Sequence, residues 1–499
     1  MNHYVEYYQV QAGGGYTEKY NRFGRVYVGA PYQRGHGIGA FLGGLFQRVL
    51  PFLGKAARAI GKEALNAGLN VVSDVSTRGI PLRDALEHRL TDAGFNLKRK
   101  AQEKIDKIMT GECAKSELDL FTIPLTQKSV EYSQWTHYNP VSLITDDSPI
   151  EFVIPGHGDE YIDSPHTMLK IRVQIIAADG THAAADKVDP VNNLLHSMFN
   201  QIDVFFNQNL ISPPINAYAY RAYIETLLNY SSDAKNSHLG LTLWSNDTSG
   251  AFDNPVGGIG ENDNNVSNKG QEERAGITKN RAKFDLLGHL HCDIFNQDTF
   301  FLNGVEMRLR LIHTKYSFRF MDSTNKNYKI HLLESSLIVR KAKLAPGILL
   351  GHAKALSQTT AKYPPTRVEI KSYVLHAGIL SQTIDNAILG QLPKRVIIGF
   401  VDNRAYNGDR TLNPFNFDNH GINFFCLYVG GKQVPGKALQ PQFSENDYLE
   451  AEAYNTLFTG TGIHFPDYGN NITRKNYSKG YCLFAFDLTP DLSAHFATH

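Results

Sequence analysis

The chain has 499 residues, 42% hydrophobic and 11% aromatic, long enough for two large β domains and an extension. Its net charge of +1 is unevenly distributed: residues 1–110 hold 16 Lys/Arg against 9 Asp/Glu, and the rest 34 against 40, so an anionic partner is expected for the N-terminal arm alone. The first twenty residues lack the apolar stretch of a secretory signal and no uninterrupted 18-residue apolar run occurs, which argues against a secreted or membrane-spanning chain.

Residues 1–30 are rich in Tyr and Gly with no clear period and read as a disordered or weakly ordered arm. Over 38–75, Leu45, Val49, Leu53, Ala57, Ile60, Ala64, Ala67, Val71 and Val75 recur every three or four residues, which predicts helix, broken or kinked at Pro51. A further helix is expected over 81–109, with Pro81 in its first turn. From Leu118 the period becomes two. "LKIRVQIIA" sets Leu169, Ile171, Val173 and Ile175 opposite Lys170, Arg172 and Gln174, and "VEMRLRLIH" sets Val305, Met307, Leu309 and Leu311 opposite Glu306, Arg308 and Arg310. "RVEIKSYVL" (367–375) and "GYCLFAFDL" (480–488) repeat the pattern. "FFCLYVGGKQVP" reads as a hairpin, since Gly430-Gly431 can take the positive φ of a two-residue turn. One internal helix is expected at "YAYRAYIETLLNY", 218–230. Residues 245–270 are 17 Asn, Asp, Gly or Ser out of 26 and read as a surface loop outside the core. The segment "KLAPGILLGHAKALSQTTAKYPP" interrupts the strands near 345–365 and marks an expected boundary between two antiparallel sandwiches.

The candidate sites are few. Residues 19–62 contain eight basic residues and no acid. Arg34, Arg48, Lys55, Arg58 and Lys62, with Lys98, Arg99 and Lys100 of "NLKRKAQEK", are candidates for contact with DNA phosphates or an anionic membrane; a solvated amphipathic helix is the plain alternative. "GHLHCD" (288–293) places His289, His291 and Asp293 on one face of an expected strand, but the Glu of a cupin-type metal set is missing, because Phe295 and Asn296 stand where it would fall. Cys113, Cys292, Cys426 and Cys482 are far apart and read as free thiols. No GxSxG, HExxH, phosphate-binding loop or CxxC occurs, so no catalytic residue, cofactor or metal is expected and the chain does not read as an enzyme.

Several long blocks taken together, "SELDLFTIPLTQKSVE", "NNLLHSMFNQIDVFFNQNLIS", "YAYRAYIETLLNYS", "LPKRVIIGFVDNRAYNGDRTLNPFNFDNHGINFFCLYVGGKQVP" and "YCLFAFDLTPDLS", resemble the double jelly-roll major capsid proteins of Polinton/Maverick and adintovirus-like elements. The resemblance covers roughly 112–499. It implies an all-β fold of two tandem jelly rolls, with a first roll over 111–350 and a second over 351–499. It further implies a homotrimeric, hexon-like capsomer packed against neighbouring capsomers and a penton-like minor capsid protein. The location implied is the virion, inside an animal host cell. The arm, 1–110, resembles the basic glycine-rich core or minor capsid peptides of adenovirus-like viruses, which implies contact with packaged double-stranded DNA or the capsid interior. The ending "FAFDLTPDLSAHFATH" departs from the family pattern, leaving open whether the second roll is complete. Two other readings stay open: a host-retained jelly-roll binding module without an assembly role, and a membrane-active entry function of the arm.

Overall fold

The computed structural model describes residues 16–21, 24–29, 129–156, 158–177, 188–254, 266–279, 282–322, 328–444, 449–463 and 469–489. The chain divides into two units between Gln127 and Lys128. In the first, β1 (Tyr16–Asn21) pairs antiparallel with β2 (Gly24–Gly29), in a register running from Tyr16 opposite Gly29 to Asn21 opposite Gly24. A disordered or weakly ordered arm was expected there. The Tyr and Val residues of "YTEKYN" and "GRVYVG" favour extended backbone. The helices expected over 38–75 and 81–109 lie outside the described residues.

The second unit is mainly antiparallel β. One sheet runs β3 (Val130–Tyr138), β12 (Lys329–Leu344), β5 (Glu160–Ile176), β9 (Lys283–His289). The other runs β4 (Ile150–Ile154), β10 (Met307–His313), β7 (Phe199–Phe206), β8 (Asn209–Leu210). A short ribbon pairs β6 (Val188–Pro190) with β11 (Phe320–Asp322). With the eight strands of the two larger sheets lettered B to I in chain order, the sheets read B-I-D-G and C-H-E-F. That order is the jelly roll, in which interleaved Greek keys bring the first and last strands together as neighbours.

The period of two explains the packing. Leu169, Ile171, Val173 and Ile175 of β5 face inward, as do Met307, Leu309 and Leu311 of β10 and Ile150, Phe152 and Ile154 of β4. Lys170, Arg172, Arg308 and Arg310 lie on the outer faces, where Arg172 bridges Asp285 on one neighbouring strand and Glu334 on the other. Each large apolar side chain buried this way contributes about 1.5–3 kcal/mol, while the exposed cross-strand ion pairs add little.

Beyond this roll lie helix α3 (Pro346–Leu356), which has no buried residue, and an exposed, irregular stretch to residue 394. Helix α1 (Tyr218–Asn229) forms as expected, and α2 (Lys269–Thr278), which begins at the end of the stretch 245–270, was not expected. Three strand pairs follow α3: β13 (Arg395–Gly399) with β18 (Leu483–Asp487), β14 (Phe417–Asp418) with β17 (Lys479–Gly480), and β15 (Phe425–Val429) with β16 (Lys432–Leu439). Helix α4 (Ala451–Thr459) packs on β18. The Gly430-Gly431 hairpin stands as expected, with both φ positive at 55° and 79°.

Three sequence expectations are overturned. "RVEIKSYVL" is exposed and not a strand, because alternation specifies a face only where a partner strand and a core receive it. The described ends of the stretch 245–270 are not surface loop: Asp247, Ala251, Phe252 and Asn268 are buried, Phe252 sits in the second core beside Tyr481, and residues 255–265 lie outside the described residues. Of the three side chains picked out in "GHLHCD", only that of His289 belongs to the strand, which ends there; Asp293 opens a short 3-10 turn, so the three do not share a strand face.

Candidate functional site

Two apolar cores lie in the second unit, and α1 belongs to both. Tyr218 and Ala222 join the jelly-roll core, while Tyr220, Tyr223, Leu227 and Leu228 join a second core with Phe415, Phe417, Leu457, Tyr477 and Phe484. The ring of Tyr223 stacks on Phe415 with centroids 4.1 Å apart. A helix apolar all round is expected where it is enclosed on every side.

Arg221 and Glu225, one turn apart on α1, are buried charges in this setting. Arg221 Nε donates to Glu225 Oε1 at 2.9 Å, and Arg221 Nη2 donates to Asp293 Oδ1 at 2.6 Å. His291 Nδ1 donates to Glu225 Oε2 at 2.7 Å, and its Nε2 lies 3.4 Å from Thr226 Oγ1. The His291 backbone N–H donates to the Tyr218 hydroxyl at 3.1 Å, and that hydroxyl lies 3.0 Å from Nδ1 of His196, in the one-turn helix Leu194–Ser197. Because the Tyr218 oxygen accepts from His291, its own proton is free for His196 Nδ1. His196 Nδ1 is the acceptor within reach of that proton, which assigns His196 the neutral tautomer with its own proton on Nε2. The His196 and His291 rings meet edge to face, centroids 4.7 Å apart.

The electrostatics follow from burial. Burial raises the Glu225 carboxyl, but the His291 hydrogen bond and charge, with Arg221, outweigh it and hold it down at about 2. Burial also works against the Arg221 charge, yet Glu225 and Asp293 leave it above its ordinary value. Burial lowers His196 well below the usual histidine range, with His291 and His289 adding to the effect. The Cys292 thiol is pushed up to about 12, chiefly by burial, which removes thiolate chemistry at neutral pH. The cleft beside these groups, lined by Ile202, Ser212, Pro213, Ile215, Tyr218 and Arg221 among others, has about 10 Å³ of open space, room for one water. It is far below the size of a small-molecule site.

A second buried network anchors α2. Arg274 Nη2 donates to Asp247 Oδ1 at 2.6 Å, Nε to the Pro190 carbonyl and Nη1 to the Ser245 carbonyl. Asn268 Nδ2 also reaches Asp247 Oδ1, and the Tyr481 hydroxyl donates to the Asp247 carbonyl. Residues 245–254 and α2 are thereby fastened both to β6 and to the chain's last strands.

Of the residues picked out in the sequence, Arg34, Arg48, Lys55, Arg58, Lys62, Lys98, Arg99, Lys100 and Cys113 lie outside the described residues. Cys292 and Cys482 are buried free thiols, and Cys426 is a partly buried one. Among the described residues no group of three or more His, Cys, Asp or Glu is arranged to hold a metal. His291 and Asp293 were noted but without their partners. Arg221 and Glu225 passed unnoticed, although opposite charges four residues apart in an otherwise apolar helix are a readable sign of a buried ion pair.

No family model matches the sequence. A relative from Caenorhabditis elegans, Uncharacterized protein F54H12.2, is 24% identical over 381 residues, covering 74% of this chain and 86% of that one. Among solved structures, the PBCV-1 virus capsid is similar with a TM-score of 0.40 and 8% identity over 74% of this chain and 80% of that one. The Sputnik virophage structure gives 0.33 and 11%, over 47% and 53%, and the mavirus major capsid protein 0.27 and 12%, over 58% and 55%. The chain spans about half the length of the Sputnik and mavirus chains that it matches. The jelly-roll assignment rests on the strand order of the two sheets.

Proposed function

We propose that this chain is a structural capsid subunit of the double jelly-roll type, with rolls over 111–350 and 351–499 and a basic arm, 1–110, turned toward packaged DNA or the capsid interior. The observation that carries the reading is the B-I-D-G and C-H-E-F order of the first roll, joined through one shared helix to a second antiparallel core in the same chain. Jelly rolls serve as capsid, lectin and cupin scaffolds, and fold alone does not choose among them. The long sequence blocks resembling Polinton/Maverick capsid proteins favour the first. So does the interior of this roll, filled with apolar side chains where a cupin holds a metal. A capsid subunit needs several interfaces of roughly 1,600 Å² each, and a body of two sandwiches has the surface for them. A homotrimer, neighbouring capsomers and a penton-like protein are the partners this reading implies, and the virion the location.

Electron microscopy of the purified full chain tests the reading. Trimers or closed shells are expected; a monomer at all concentrations and ionic strengths overturns it. The arm is tested separately in the full chain. Retardation of random duplex DNA should fall steeply between 50 and 200 mM salt, as counterion release demands, and should disappear on charge reversal at Arg48, Lys55, Arg58 and Lys62. Binding indifferent to these changes, or release of dye from anionic vesicles in its place, rejects the DNA role.

A further inference from the structure

We infer that His196, Tyr218 and His291 form an acid-sensitive latch that holds helix α1 against the jelly roll while His196 is neutral and releases it when His196 takes a proton. The inference is independent of the capsid reading, because it rests on the hydrogen-bond chain alone.

The chain runs in one direction. The His291 N–H donates to the Tyr218 oxygen, and the Tyr218 O–H donates to His196 Nδ1. A proton on His196 Nδ1 turns that nitrogen into a donor. Two donors then face the Tyr218 oxygen, and the phenolic hydrogen must find another acceptor inside the protein. The new cation also stands 4.7 Å, centroid to centroid, from the His291 ring, which already donates to the Glu225 carboxylate. Both carboxylates of the cluster, Glu225 and Asp293, are already engaged by Arg221 and His291, so the added charge finds no buried carboxylate left to pair with directly.

Each element packed against the one-turn helix of His196 carries charged or titratable groups. Helix α1 brings Tyr218, Arg221 and Glu225; the turn after β9 brings His291, Cys292 and Asp293, and β9 itself His289, while its Lys283 and Asp285 lie exposed, Asp285 paired with Arg172 on the outer face. The turn 238–242 carries His238, the one-turn helix 316–319 carries Tyr316 and Arg319, and β7 carries Asp203. Of these, the Glu225 and Asp293 carboxylates are already engaged by Arg221 and His291. The Gly288 backbone closes the Nε2 side, where an added Cβ would stand 3.6 Å from that nitrogen.

The sign follows from linkage. The folded protein binds the His196 proton less readily than the unfolded chain, whose histidine titrates near pH 6.5. Stability from this group is therefore full above that pH and lost as pH falls below it, up to tenfold in the opening equilibrium per pH unit. The element released is the one both cores share, so opening the latch loosens one core from the other.

Hydrogen exchange of the full chain tests the inference, read as protection factors so that intrinsic exchange is removed. Between pH 7.5 and 5.0 the amides of 218–229 should lose protection by at least tenfold, while those of β5 and β12 hold theirs. His196→Gln and His196→Met cannot be protonated, and whichever folds should keep α1 protected at pH 5.0. Equal loss across α1, β5 and β12 in the natural chain overturns the latch. So does an unchanged acid response in either variant.

Discussion

Lys235 is the plainest case of a residue whose role is set by what surrounds it. It is buried, and its Nζ donates to the Leu227 carbonyl at 2.7 Å and the Asn470 carbonyl at 2.6 Å. Leu227 lies in the last turn of α1, where carbonyls have no helical partner, so this amine caps the helix and ties it to the distant 470 region. Burial lowers the Lys235 pKa to about 7. The unfolded chain keeps its proton to about pH 10.5, so this residue's contribution to stability is full above that value and falls as pH drops toward 7. Lys235→Met leaves two buried carbonyls unpaired and should cost about 1–3 kcal/mol near pH 10. The difference from the natural chain should shrink toward pH 7, as denaturant titrations across that range would show. Asp247→Asn should be more severe. It leaves the Arg274 guanidinium buried beside a neutral amide, and breaking such a pair from one side costs about 3–5 kcal/mol. Urea midpoints measure it directly.

At the scale of elements, the segment 245–254 decides how the ends of the second unit meet. Phe252 is buried against Tyr481, and Gly480 sits at φ 106° with the space a side chain would take filled by the Phe252 ring. Phe252→Ala should cost about 3–5 kcal/mol. Gly480→Ala should cost at least about 1–3 kcal/mol from backbone strain alone. Glu272→Ala, on the exposed side of α2, should change stability by no more than about 0.5 kcal/mol. Thermal unfolding of the three variants orders them. What was legible in the sequence follows the same logic. Strands β5, β10 and β15–β16 and helix α1 could be read, because one buried face or one glycine pair imposes a local pattern. Residues 245–270 could not: Asn192, Asp247, Asn268 and Arg274 are buried by satisfying one another, and composition does not reveal which polar groups meet. "RVEIKSYVL" misled in the opposite sense, since its alternation carries no information about whether a partner strand is present.

For the whole molecule, the boundary that the strand pattern suggests near 345–365 differs from the division of the apolar cores. Tyr220, Tyr223, Leu227, Trp244, Phe252 and Phe318 all precede residue 345, yet all pack in the core completed by Phe415, Leu457, Tyr477 and Phe484. A chain ended at residue 345 would expose that face of α1 and forfeit about 1.5–3 kcal/mol for each large side chain returned to water, in total as much as the roughly 5–15 kcal/mol that holds an ordinary domain together. The two cores should therefore unfold as one. The full chain is expected to show a single transition, with circular dichroism and tryptophan emission coinciding. Trp244 lies in the second core and Trp135 is exposed on β3 of the jelly roll, so the emission samples both regions. The chain ended at 345 should lose its sharp thermal transition and bind a hydrophobic dye. If it instead melts cooperatively at the full chain's temperature, the second core contributes nothing to the first, and α1 is anchored by the jelly roll alone.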